Sequence, residues 1–155
     1  MNEKKTEELN QILQEVKLSG LPEYMKENRS CMKDAKRSFY YYMKDLLDQK
    51  GIRLKDVYMM ADVSESYGGQ IIRMNEHTQN RDLIIRLCVA AHCNWQEMNR
   101  ALKLYGFNEL YAKNSRDACI IVALNERIFD PARLDEILME HHFEPLKCNM
   151  NQQES

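Results

Sequence analysis

The stretch from Leu54 to Arg73 constrains the fold of this chain more than any other, because two short helical patterns meet in it at a four-residue joint, Ala61-Asp62-Val63-Ser64. Val57, Met60 and Ala61 fall at i, i+3 and i+4, which predicts one apolar stripe along the first segment, 54–61. Ser64 offers a hydroxyl to the N–H groups that open a second helix over 65–73. Ser66, Tyr67, Gln70 and Arg73 are spaced to share one exposed face of that helix, while Val63, Ile71 and Ile72 point elsewhere. A short helix presenting such side chains from a tight turn is what a DNA-reading helix-turn-helix requires. An ordinary helical corner has the same spacing.

The neighbouring segments are also helical in pattern. Residues 3–17 predict an amphipathic helix with Leu9, Ile12, Leu13 and Val16 on one stripe, stopped by Ser19-Gly20-Leu21-Pro22. A short helical piece follows through Tyr24-Met25. Residues 32–49 predict a second helix with Phe39, Met43, Leu46 and Leu47 inward and Gly51 behind its end. Beyond the polar link 75–80, residues 81–92 read as a more buried helix through Leu83, Ile84, Leu87, Cys88 and Ala91. Asn94 caps the next, 95–104, which carries Trp95, Met98, Leu102 and Leu104. After Gly106-Phe107-Asn108, Ser115 is expected to cap a helix from Arg116 to Asn125. Asp130-Pro131 opens the last one, with Leu134, Ile137, Leu138 and His141 on its inner side. The fold class is therefore all-α, with about eight short helices. Gly and Pro total eight, too few for the many turns of an all-β fold.

Several function classes fall away. No run of about 18 apolar residues exists to span a membrane, and Met1-Asn2-Glu3-Lys4-Lys5 leads into polar helix rather than a signal segment. The cysteines Cys31, Cys88, Cys93, Cys119 and Cys148 are odd in number and widely spread, so they read as reduced thiols of a cytoplasmic protein. No C-x-x-C pair occurs beside Cys88, His92 and Cys93, and the adjacent His141 and His142 diverge on a helix, so no metal site is expected. No Gly-rich phosphate loop or nucleophile elbow is present, so no enzyme is expected and no cofactor is implied.

Net charge is −2, but its distribution is uneven. Residues 31–50 carry five basic and three acidic groups and residues 51–93 five of each, whereas residues 94–155 carry seven and ten. The least acidic part of the chain surrounds the corner, in keeping with DNA contact.

The order of helix, corner, loop, helix, helix over 32–104, with the joint Ala61-Asp62-Val63-Ser64 and the turn Cys93-Asn94-Trp95, resembles the five-helix Xre/lambda-repressor-like DNA-binding domain. Ser66-Tyr67-Gly68-Gly69-Gln70-Ile71, Arg81-Asp82-Leu83, Leu102-Lys103-Leu104-Tyr105-Gly106-Phe107 and Arg116-Asp117-Ala118 look like a Gram-positive bacterial branch with a C-terminal helical extension. The resemblance covers roughly residues 35–145. It implies an N-terminal extension (1–30), a helix-turn-helix domain (31–106), a C-terminal helical extension (107–146) and a disordered tail (147–155). The chain departs from the pattern at Asp62, where a Gly is common, and at Leu54, where a Gln often fixes the helix to a phosphate. Met74 and Thr78 replace a Gly and a Pro, Glu65 adds an anion, and Gly68 and Gly69 each weaken a helix by about 1 kcal/mol relative to Ala.

The resemblance implies a transcriptional regulator that binds duplex DNA, expected as a homodimer joined through its C-terminal or N-terminal helices. Ser64, Ser66, Tyr67 and Gln70 would lie at the DNA, Gln70 pairing with adenine and Tyr67 touching phosphate or a thymine methyl. Arg73, Arg81, Lys55, Lys36 and Arg37 would hold phosphates. The alternative is a helix-turn-helix-derived adaptor or inhibitor that binds protein through the N- or C-terminal helices or through Tyr40, Tyr41 and Tyr42. Those three adjacent aromatics cover most of a helix circumference and form either a rim over the core edge or a partner surface.

Overall fold

The structure, a computed structural model, describes residues 6–27 and 37–147. Lys36, the start of the helix expected from 32, Cys31, Cys148 and the tail from 148 lie outside the described residues. The chain divides into two compact units, Met1–Ala35 and Lys36–Ser155. The described residues form α-helices and one 3-10 turn with no strand among them, so the protein is all-α.

The first unit holds α1 (Thr6–Glu15), a 3-10 turn (Leu18–Gly20) and α2 (Leu21–Glu27). Helix α1 ends at Glu15, two residues short of the expected 17. Ser19-Gly20 lie in the 3-10 turn that follows, and Leu21-Pro22 open α2, where Pro22 is tolerated because no intrahelical N–H bond is lost in a first turn. The stripe of α1 is amphipathic, yet none of its residues is fully buried and Leu13 is exposed.

The second unit holds α3 (Ser38–Lys50), α4 (Leu54–Ala61), α5 (Glu65–Ile72), α6 (Arg81–Ala90), α7 (Trp95–Tyr105), α8 (Ser115–Asn125) and α9 (Pro131–Glu140). Its centre is α6, in which every residue from Leu83 to Ala90 is buried. Helices α4, α7 and α9 all pack on it, which is why its apolar residues show no open polar face. Helix α3 packs on α5 and α7, closing the core with Phe39, Met43, Leu46 and Leu47.

The C-terminal helices share this core rather than standing beside it. Ile120, Leu124, Leu134, Leu138 and Leu146 belong to the same hydrophobic cluster as Val57, Ile71 and Ile84. Full burial of one such side chain contributes about 1.5–3 kcal/mol. Two bidentate ion pairs fasten the same junction: Arg116 to Asp82 at 2.9–3.0 Å, and Arg81 to Asp117 at 3.1–3.3 Å.

Several local expectations need correction. Met60 is 42% exposed and Tyr58 takes its place in the stripe, because α6 and α5 meet α4 on the side that carries Val57, Tyr58 and Ala61. Asn114, one residue before Ser115, caps α8, its side chain accepting from the Asp117 N–H at 2.9 Å. Trp95 is exposed at the start of α7, Ile137 and Leu104 are half-buried, and His141 lies outside the core with Nδ1 2.9 Å from the Ile137 carbonyl. Helix α6 ends at Ala90, with Ala91 and His92 forming the turn. The caps at Ser64, Asn94 and Asp130 and the left-handed Gly51 and Gly106 are as the sequence suggests.

Candidate nucleic-acid interface

The corner between α4 and α5 is made by backbone geometry first. Asp62 takes the left-handed conformation (φ 57°, ψ 51°), so the chain reverses sharply and the Val63 N–H donates to the Tyr58 carbonyl at 3.0 Å. Aspartate tolerates this region better than most residues, which explains how a residue with a side chain can stand at the joint. Ser64 is extended, and its Oγ accepts from the Tyr67 N–H at 3.1 Å, opening α5.

A buried cation braces the corner from beneath. Arg86, in the middle of α6 and only 7% exposed, donates from Nη2 and Nε to the Ala61 carbonyl at 2.7 and 3.2 Å. The guanidinium thus meets carbonyls at the negative end of α4, where a positive charge is stabilising. Arg86 is a residue that sequence reasoning missed. Its signal was a lone cation inside the apolar run Leu83–Ala90, which calls for a buried partner.

The paired glycines have separate structural roles. A Cβ at Gly68 would lie 2.6 Å from Cδ1 of Tyr58, so only glycine lets α4 and α5 approach this closely. A Cβ at Gly69 would instead meet the guanidinium of Arg73 at 2.7 Å, the flexible end of a side chain folded back over the helix. Burial raises the pKa of the Tyr58 hydroxyl, with Arg73 partly opposing that rise.

Of the residues expected at DNA, Ser66 is exposed on α5 and Lys55 on α4. Arg73 is exposed just past the end of α5, which stops at Ile72, one residue short of the helix expected over 65–73. Tyr67 and Gln70 are half-buried, and the Tyr67 ring packs at the edge of the core. Two expected phosphate contacts are held within the fold. Arg37 donates to the Arg73 carbonyl at 3.2 Å and to Asn75 Oδ1 at 3.4 Å, fastening α3 to the end of α5. Arg81 donates to the Asn108 and Glu109 carbonyls at 3.1 Å as well as to Asp117. Glu65 is exposed at the start of α5, and the Asp62 carboxylate meets the ammonium of Lys147.

Elsewhere, Tyr40 and Tyr42 are half-buried against the core while Tyr41 is exposed, so one ring of the run points outward. Burial, with Cys93, Glu97 and Cys88 nearby, pushes the Tyr42 hydroxyl up to about 12. Cys88 and Cys93 are buried free thiols, and the hydrogen bond between them followed by burial pushes the Cys88 thiol well up. His92, between them in sequence, is exposed and stacks on Phe129 with ring centroids 5.0 Å apart. Among the described residues no group of three metal-ligating side chains comes together, and no helix is long and apolar enough to cross a membrane.

Comparison with protein-family models, curated proteins and solved structures finds no match to this chain.

Proposed function

We propose that this protein is a lambda-repressor-like helix-turn-helix regulator that binds duplex DNA through α5. In this reading α3 to α7 are the five helices of the domain, and α8 and α9 complete its core. The observation that carries it is the α4–α5 corner: a left-handed joint and a serine-capped helix, braced by Arg86, with Ser66, Gln70 and Arg73 along its outer side. A helix of eight residues is about two turns long, and the major groove is wide enough to admit a helix. Ser66, Tyr67 and Gln70 meet base edges, while Arg73 and Lys55 meet phosphates. Binding as a homodimer would double this contact set and set the spacing of two half-sites.

A second reading, a protein-binding adaptor or inhibitor built on the same corner, draws on a specific observation. Arg37 and Arg81 are bound within the fold, and Glu65 adds an exposed anion, so the described surface at the corner offers few cations for phosphates. Selection of bound fragments from the source genome at low salt separates the two. The DNA reading expects enrichment of a short sequence, relaxed base preference in Gln70→Ala, and uniformly weaker binding with a shallower salt dependence in Arg73→Ala. Absence of any binding at low salt removes it.

A further inference from the structure

The end of the described chain is fastened to the corner, although the two are far apart in sequence. Arg116 of α8 donates to the Glu144 carbonyl at 3.0 Å and to the Pro145 carbonyl at 3.3 Å. Asp135 of α9 accepts from the Leu146 N–H at 2.6 Å and the Lys147 N–H at 3.4 Å, and the Leu146 side chain is buried in the core. Residues 144–147 are therefore pinned along their backbone by two side chains. That pinning delivers the Lys147 ammonium to Asp62 Oδ2, 85 positions away in sequence. Asp62 is the left-handed joint itself, and its side chain is 73% exposed.

An exposed carboxylate beside α5 works against an approaching polyanion. At a separation of a few ångströms, within the Debye length of about 8–10 Å at ordinary salt, a single uncompensated charge acts on several phosphates. We propose that Lys147 is a positioning and charge-compensating residue of the DNA-facing corner, cancelling the Asp62 carboxylate and so coupling the C-terminal segment to DNA affinity. The role rests on the DNA-binding reading; the contact itself does not. Lys147 acts through Asp62 rather than by holding a phosphate.

The test is a double-mutant cycle on the full chain, using Lys147→Ala, Asp62→Asn and the pair, with Lys147→Arg as the conservative control. Asparagine also tolerates the left-handed region, so the joint is kept. Binding to the selected duplex at about 0.1 M salt should weaken roughly three- to tenfold in Lys147→Ala. It should recover in the double variant, and stay within about twofold of wild type in Lys147→Arg. Unchanged binding in Lys147→Ala overturns the proposal. So does a double variant that stays as weak as Lys147→Ala, which would mean that Lys147 acts on phosphate without Asp62. Amide exchange at Asp62 and Val63 reads the contact without DNA and should quicken in Lys147→Ala. If wild type binds no DNA, the regulator reading fails and this exchange decides alone: faster exchange upholds the contact, and unchanged exchange overturns it.

Discussion

Helices α5 and α6 are of similar length, eight and ten residues, but opposite in design. Helix α6 is buried on all sides from Leu83 to Ala90 and takes part in packing with three other helices. Helix α5 buries Gly68, Gly69, Ile71 and Ile72 and leaves Glu65, Ser66 and Arg73 outside. The difference shows where the shape of the corner is stored. Helix α5 is anchored by Ile71 and Ile72 on its inner side, while Arg86 of α6 holds the joint that precedes it and Gly68 seats it against Tyr58 of α4. A presenting helix can then carry polar and weakly helical residues because part of its support lies elsewhere.

Substitutions can break that comparison, and the largest effect should come from the support. Arg86→Met leaves the Ala61 carbonyl buried without its donors and should lower unfolding free energy by about 2–4 kcal/mol in urea titration. A loss below about 1 kcal/mol would mean that the corner holds without its brace. Gly68→Ala places a methyl against the Tyr58 ring and should destabilise by about 1–3 kcal/mol through overpacking. Gly69→Ala meets only the movable end of Arg73 and removes a helix glycine, so stability should stay level or rise by up to about 1 kcal/mol. Opposite signs at adjacent glycines would locate the close helix crossing at Gly68 alone. Equal losses at both would place an additional rigid contact over Gly69.

The corner is legible in the sequence because its signals are local. Ser64 lies three residues from the N–H it caps, and Ile71 and Ile72 are apolar where α5 turns inward. What supports the corner is not legible, because its partners are distant in sequence. Arg86 meets Ala61 across 25 positions, and Arg81 and Arg37 find partners 36 positions away. A sequence shows that these residues are cations but not that folding occupies them, which is why Arg37 and Arg81 read as phosphate contacts. Met60 misleads for a related reason: a helical stripe defines a face, and only the neighbours decide which edge of it is covered. Tyr58 won that place because Gly68 makes room for its ring. The C-terminal helices were legible as helices, while their membership of one core with α4 and α6 needed the tertiary structure.

The most direct measurement of the central claim is a map of backbone amide chemical shifts on adding a selected DNA duplex to the isotope-labelled protein. The account predicts the largest changes at Ser66, Tyr67, Gln70 and Arg73, with smaller ones at Lys55 and around Asp62 and Lys147. Changes centred on Tyr40 to Tyr42 or on α8 and α9, with α5 silent, would contradict it.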